Sequence, residues 1–328
     1  MSQTVLVTGA TGYIGSHVCK HLKDAGYRVI GVDRVARDHV LPHMNFLITA
    51  DYYSDEVIKF LQTETVHAIV HCAGTSLVGP SVLDPAEYYT NNVAKTAMFL
   101  DVIRRLPRPP VIVFSSSAAV YGAPEVDLIG EEQAFNPLSP YGQSKAMIEI
   151  MLADYHRAYG LAAMNLRYFN ACGADESGTL GQAPGATHII ARLLESARDK
   201  TTFTLYGKDY ATPDGTCIRD YVHVSDLAEA HMLAMQYLFA FEGCYTLNLG
   251  SGRGYSNAEV MQTVGRLIGT SDIEHGERRA GDPDRLVANN FLAGAVLGWR
   301  PKHDLESIVN SAWKWYNNPS NTVDKSSK

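Results

Sequence analysis

Paired cysteines are missing from this 328-residue sequence. Its five, Cys19, Cys72, Cys172, Cys217 and Cys244, are scattered and odd in number, with no CxxC. That excludes a disulfide framework and argues against a metal centre, and it predicts a reducing, cytoplasmic setting. The N-terminus lacks a basic stretch followed by an apolar one, so no secretory signal is expected. No apolar run reaches the ~20 residues of a membrane span, so no membrane partner is expected. Basic excess is absent too: 28 Lys and Arg face 35 Asp and Glu, a net charge of −7. A general nucleic-acid binder needs a basic face, so nucleic acid is excluded as a partner. A small phosphate-bearing molecule is not, since a few arginines in a cleft suffice. Internal repeats, low-complexity tracts and long charge runs are also lacking. What remains is 46% apolar and 19% charged residues, the composition of a globular, enzyme-sized chain.

What is present is alternation. Short apolar runs at 5–7, 29–32, 68–70 and 111–114 read as buried parallel strands. Between them lie helical patterns at 13–25, 54–63 and 86–105, the last with Asp84 as N-cap and Pro85 at the first position. A helix over 141–159 and a strand over 163–166 follow. This order predicts an α/β fold with a doubly wound parallel sheet. From 170 to 187 the chain is rich in Gly and small polar residues, and a second, smaller region is placed there. The later elements expected are helices at 189–198 and 225–239, strands at 203–205 and 245–248, and a helix to about 268 capped by the Ser256–Glu259 box.

Gly9-Ala10-Thr11-Gly12-Tyr13-Ile14-Gly15 closes the first strand and opens the first helix. Small residues there permit a tight turn, close approach of backbone to a pyrophosphate, and packing of helix on strand. The helix N-terminus then offers free amides to the phosphates. A lone glycine triplet is weak; the strand-before, helix-after setting points to a dinucleotide and a Rossmann-type sheet. Asp33 ends the second strand 18 residues past Gly15. A carboxylate there accepts from an unphosphorylated ribose and repels a 2′-phosphate, which favours NAD over NADP despite the neighbouring Arg34.

Tyr141 and Lys145 form a YxxxK pattern at a helix start, one turn apart and on one face. A phenol of pKa about 10 is a poor base at neutral pH, and lowering it by about three units takes about 4 kcal/mol. A nearby ammonium and a positive nicotinamide both act in that direction. Taken alone the spacing is common on any helix. Ser115-Ser116-Ser117, however, follows the strand at 111–114, where a parallel sheet faces its ligand crevice. Ser117, Tyr141 and Lys145 thus have the order and spacing of the catalytic triad of short-chain dehydrogenases/reductases. The GxxGxxG spacing resembles that superfamily as well, and Asp51 and Tyr52 match its adenine-contacting position.

The chain further resembles the UDP-glucose 4-epimerases almost end to end. The resemblance runs through GATGYIGSH (Gly9 to His17), HCAG (His71 to Gly74), YYTNNV (Tyr88 to Val93) and SSSAAVYG (Ser115 to Gly122). It continues through NPLSPYGQSK (Asn136 to Lys145), LRYFNACGA (Leu166 to Ala174) and DGTCIRDYVHVSDLA (Asp214 to Ala228). NLGSGRGYS (Asn248 to Ser256), RRAGDP (Arg278 to Pro283) and LGWRP (Leu297 to Pro301) complete it. It implies an NAD-binding Rossmann domain over 1–169, to which 221–249 returns, and a mainly UDP-sugar-binding domain over 170–328. It implies that Ala73, Gly74, Asn92, Ser115 and Tyr168 serve the cofactor side. It places Phe169, Asn170, His188, Phe203, Tyr206, Arg219, Arg279 and Asp282 around the sugar nucleotide. For Arg219 the alternative is a structural ion pair with Asp220. By the same resemblance Leu286 borders the sugar's 2-substituent, where a bulky tyrosine confines relatives to plain hexoses. Three departures stand out: a short stretch from Asp33 to Asp51, Ser76 in place of a cofactor-phosphate lysine, and His188 in place of an asparagine.

The implied activity is 4-epimerisation of UDP-hexoses, and of their N-acetylated forms through Leu286. It runs by transient oxidation to a 4-keto sugar, rotation and reduction. Tyr141 acts as acid/base, Ser117 bonds the reacting oxygen and Lys145 lowers the tyrosine pKa. The resemblance also implies a homodimer formed by the helices at 86–105 and 141–159. Three rivals remain. A dehydratase needs an acidic pair after the triad serine, where Ala118 and Ala119 stand. A one-way dehydrogenase would consume free NAD. A dinucleotide-sensing regulator has no need of Tyr141 and Lys145.

Overall fold

The computed structural model describes residues 2–183, 185, 186, 188–269, 271–278 and 282–318. Its first half runs β1 (Thr4–Thr8), α1 (Tyr13–Asp24), β2 (Arg28–Asp33), β3 (Phe46–Thr49), α2 (Asp55–Thr63) and β4 (Ala68–His71). Then come α3 (Val78–Leu83), α4 (Pro85–Tyr88), α5 (Lys95–Ile103), β5 (Val111–Ser117), α6 (Pro140–Tyr159) and β6 (Ala163–Tyr168). The second half holds β7 (Asn170–Cys172), α7 (Ile189–Asp199), β8 (Phe203–Tyr206), β9 (Ile218–His223), α8 (Val224–Ala240) and β10 (Cys244–Leu249). It ends with β11 (Gly254–Ser256), α9 (Asn257–Leu267), β12 (Ile273–Gly276), β13 (Arg285–Leu286), α10 (Phe291–Leu297) and α11 (Leu305–Tyr316).

Seven strands pair in parallel in the order β10-β6-β5-β4-β1-β2-β3. Successive residues of each strand feed opposite faces, as the pleat dictates. Val5 and Val7 pack with Val18 and Leu22 of α1 and Leu227 and Met235 of α8. Leu6 packs on the other face with Val57 of α2, Phe99 of α5 and Ile148 of α6. Helices on both sides explain why these strands read as continuous apolar runs. The chain turns back between β1, which neighbours β2, and β4, so a crevice opens at the carboxyl ends of these strands.

The smaller layer is built on β9, which pairs in parallel with β7 and β13 and antiparallel with β11. Beside it β8 pairs with β12. Ile190 and Leu194 of α7, Val260 and Val264 of α9, and Ile308 and Trp315 of α11 form its core. Trp299 and Trp315 are buried, as core tryptophans should be.

One expectation fails. The helix placed over 86–105 is three pieces: α4, a π-helical turn over Tyr89–Ala94, and α5. The wider turn buries both Asn91 and Asn92. Asn92 accepts from the Thr75 amide (2.8 Å) and donates to the Thr75 carbonyl and Ser144 Oγ (3.0 Å each). Such a bulge turns two adjacent residues inward at the expense of helical regularity. Among the described residues no helix is long and apolar enough to cross a membrane, and no cluster could hold a metal ion.

Candidate active site

The crevice at the turn-back is a cleft of about 370 Å³. It is lined by Gly9, Gly12, Tyr13, Ile14, Gly15, Asp33, Asp51, Tyr52, Ala73, Gly74, Tyr141, Lys145 and Tyr168, all expected cofactor residues. Arg34, Ala50, Cys72, Ser76, Asn91 and Gln182 line it too. The glycines are forced by close approach. Gly9 sits at φ +68°, and a Cβ on it would lie 2.8 Å from the Ala73 nitrogen. A Cβ on Gly15 would lie 2.1 Å from the Gly9 carbonyl oxygen. Gly12 leaves α1 without a side-chain cap, so its first amides face the cleft free for an anion. Asp33 accepts from the Thr11 amide (3.0 Å) and the Val35 amide (3.2 Å), which aims its carboxylate from the end of β2. A glycine cradle, an uncapped helix start and a strand-end carboxylate together fit NAD.

Asp51 is tied to Lys95 at 2.5 Å. Burial alone would raise its pKa, but the Lys95 and Tyr53 hydrogen bonds outweigh burial and hold it low. Tyr52 donates to the Asn91 carbonyl at 2.5 Å. Two expected cofactor residues stand behind the wall. Asn92 braces the loop at Thr75, and Ser115 turns its hydroxyl to His231 Nε2 (2.9 Å) while its carbonyl faces Lys145.

Ser139 caps α6 by accepting from the Gly142 amide at 3.2 Å, which sets Tyr141 on the first turn. Tyr141 is 8% exposed, and the nearby Ser117 hydroxyl acts to lower its pKa. Lys145 Nζ donates to the Ser115 carbonyl at 2.8 Å and lies 4.7 Å from the centre of the Phe114 ring. The geometry therefore brings Ser117, Tyr141 and Lys145 together. The electrostatics correct one expectation. Burial raises the Tyr141 pKa above the usual phenol value, with the Ser117 hydroxyl only partly countering it. Burial also pushes Lys145 down to about 8. Among the protein's own groups desolvation dominates at this phenol, and Lys145 is not among those that lower it, so the protein alone does not make the phenolate.

A second cleft of about 180 Å³ gathers Asn170, His188, Phe203, Tyr206, Arg219 and Asp282. Arg192, Tyr221 and Asn257 line it as well, and no motif or spacing marks them in the sequence. Arg219 Nη2 contacts Asp282 at 2.5 Å, and Tyr210 donates to the same carboxylate at 2.9 Å. The Arg219–Asp220 pair is not formed, because neighbours on a strand point oppositely. Asp220 instead accepts from Ser251, Gly252 and Ala288, and burial pushes it up to about 6. Asn170 donates to the Asp220 carbonyl at 2.8 Å. His188 caps α7 through its Nδ1 and bonds Gln182 through its Nε2. Phe169 lies in a cluster with Val120, Tyr121 and Ala146, and Leu286 packs against it from β13. Arg279 lies outside the described residues.

Residues 5–250 match the NAD dependent epimerase/dehydratase family. A UDP-glucose 4-epimerase of Azospirillum brasilense is 44% identical over 96% of this chain and 92% of its own. The crystal structure of UDP-glucose 4-epimerase from Brucella ovis in complex with NAD superposes with a TM-score of 0.91. It is 43% identical, with 95% of this chain and 98% of that one covered. The UDP-Glc/GlcNAc 4-epimerase from Campylobacter jejuni is 32% identical, covers 96% and 99%, and has a TM-score of 0.83. With the nucleotide cradle, the Ser117–Tyr141–Lys145 group and the arginine-lined cleft in place, the chain belongs to the NAD dependent epimerase/dehydratase family and, within it, to the UDP-glucose 4-epimerases.

Proposed function

We propose that this site inverts carbon 4 of UDP-hexoses, with Tyr141 as the acid/base. The observation that carries the reading is Tyr141 in the wall of the dinucleotide cleft, one turn from Lys145 and within the influence of the Ser117 hydroxyl. Bound NAD supplies reversible hydride chemistry at that carbon and a positive charge that favours the phenolate. Tyr141 Oη takes the proton of the sugar 4-hydroxyl and later returns it, while Ser117 Oγ bonds the same oxygen. Lys145 holds the cofactor ribose and keeps a cation beside the phenol. Arg219 and Asn170, with Arg279, grip the nucleotide, so the oxidised sugar turns about its phosphate linkage without leaving. Residues 1–169 with 221–249 serve the cofactor and 170–328 mainly serve the UDP-sugar; the apolar cluster of α7, α9 and α11 supports this division, while Leu180, Ala293 and Trp299 join the core of the main sheet.

Ser117 is followed by a 3-10 turn over Ala118–Val120. It offers no acid or base, so elimination of water is disfavoured against epimerisation. The test is to give the purified NAD-loaded protein UDP-galactose. UDP-glucose should form with no lasting rise in reduced-nicotinamide absorbance. A stoichiometric rise would mark a dehydrogenase, and no turnover a sensor.

Met98 on α5 and Ile150 and Tyr159 on α6 are exposed on the two helices expected to pair. Burial of these apolar side chains against a second copy supports a homodimer. Five free thiols agree with a cytoplasmic setting.

A further inference from the structure

A buried ion pair stands behind the catalytic group and touches neither cleft. Glu149 follows Lys145 by one turn of α6 and is 2% exposed. Arg167, 5% exposed, precedes Tyr168 on β6. Arg167 Nη2 donates to Glu149 Oε2 at 2.6 Å, and its Nε donates to both carboxylate oxygens at 3.0 Å. Ser116 Oγ, between Ser115 and Ser117, donates to the same carboxylate. Arg167 Nη1 reaches Tyr121 Oη at 2.8 Å, which donates to Asn248 Oδ1 at 2.7 Å.

Stability alone is a poor reason for such a pair. Two desolvated charges often hold a fold no better than apolar side chains of the same volume. The placement suggests another reason. Each member adjoins a residue of the site: Ser116 beside Ser117, Glu149 one turn past Lys145, Arg167 beside Tyr168.

We propose that the Glu149–Arg167 pair is a positioning device for proton transfer: it locks the catalytic helix onto the strands bearing Ser117 and Tyr168, and its carboxylate keeps Lys145 an ammonium. The inference rests on Tyr141 and Lys145 being the reacting pair. Burial drives Lys145 toward the neutral amine, down to about 8, and Cys72 and then Glu149 oppose this. Of these only Glu149 carries a negative charge at neutral pH, with the Arg167 cation at its far side. Just past β4 the Cys72 thiol is pushed up to about 11, and on β4 the His71 imidazole goes down to about 3, both by burial. On β5 the Ser115 carbonyl and the Phe114 ring are neutral, and on α6 and β6 burial raises the Tyr141 and Tyr168 phenols. Without the Glu149 charge, Lys145 would lose its proton at lower pH.

The experiment is the pH profile of kcat/KM for UDP-galactose, measured on NAD-loaded wild type and Glu149→Gln. Gln fills the same space and keeps hydrogen bonds to Ser116 and Arg167, so the change is chiefly one of charge. The alkaline limb should move down by about one pH unit, so that above both limbs activity falls about tenfold more than on the plateau. A merely structural role would scale the whole profile and leave the limb in place, and that result overturns the proposal. Should Glu149→Gln fail to fold with Arg167 unpaired, Arg167→Gln, which keeps the carboxylate and removes the cation beside it, decides: its limb should move up, and a limb left in place or moved down overturns the proposal. Equal activity of wild type and Tyr141→Phe would instead sink the underlying assignment of Tyr141.

Discussion

At the scale of single residues, the site asks one phenol to be both well buried and able to ionise. The phenol of Tyr141 is raised by burial and loses only part of that through Ser117. Its catalytic worth therefore depends on proton transfer, not on binding. Tyr141→Phe should cut turnover with UDP-galactose by about 10²–10⁴-fold while the protein still retains NAD. Near-normal turnover in that variant would remove Tyr141 from its role. The glycines and the YxxxK pair were legible because their meaning lies in local spacing. Arg192 and Asn257 were not, since a pocket that joins α7, β9 and α9 has no local signature. Leu286 is an intermediate case. It packs against the cluster holding Phe169 and Val120 and stands in register with Arg219. A leucine there leaves room that a rigid tyrosine ring would fill. We therefore expect wild type to interconvert the N-acetylated pair as well, and Leu286→Tyr to lose that activity while keeping the plain hexoses. Pocket volume alone discriminates by about 1–3 kcal/mol. Wild type that leaves the N-acetylated sugars untouched at saturation would assign the limit to another wall.

Among the elements, β1, β2, β4 and β5 followed from the sequence because each is an apolar run, whereas β3 did not, its short edge being half exposed. Nor did the β9 layer. Its partners are two or three residues long and come from segments near 170, 254 and 285, too short for a period of two to show. The π-helical turn at Tyr89–Ala94 was hidden for the opposite reason, since it lies inside a helical pattern and breaks it by one residue. The tightest junction between elements is the one between β1 and α1. A methyl on Gly15 would sit 2.1 Å from the Gly9 oxygen, backbone against backbone, whereas on Gly12 it would sit at 3.2 Å. Backbone cannot swing aside as a long side chain can, so Gly15→Ala must pry α1 from β1. We expect it to lose roughly 1–3 kcal/mol of stability or more, with NAD released during purification, and Gly12→Ala to be the milder change. Equal melting temperatures and equal bound NAD in both variants would contradict this account.

For the molecule as a whole, burial has a consequence in pH. His71 and His223 are pushed down to about 3, and His17, His188 and His231 to about 4, in each case mainly by loss of water. These five are neutral when folded and take up protons on unfolding below an unfolded pKa of about 6.5. Folded pKa values below unfolded ones mean stability that is present above about pH 6.5 and lost as pH falls toward the folded values. Other groups act the other way, His303, Asp220 and Glu131 among them. His303, held up by its bond to Asp226, contributes below about pH 6.5 and loses that contribution as pH rises through its raised value. Asp220, raised to about 6, stays protonated in the fold while the unfolded chain has released the proton, which offsets one histidine between about pH 4 and 6. The five histidine terms outnumber the raised carboxyls Asp220 and Glu131 on the acid side; above neutrality His303 loses its contribution first, and the buried thiols Cys72 and Cys244, both pushed up to about 11, oppose folding above their unfolded pKa. The melting midpoint should therefore peak near neutrality and fall steeply toward pH 5, well above the range where ordinary carboxylates titrate. Each histidine contributes at most about 1.4 kcal/mol per pH unit to that slope. His71→Gln removes one such term, so its midpoint, although lower throughout because the bonds to Thr8 and Thr96 are altered, should fall less steeply between pH 7 and 5. A wild-type midpoint that is flat over that range would mean that these imidazoles are protonated in the fold, and the burial argument would fail.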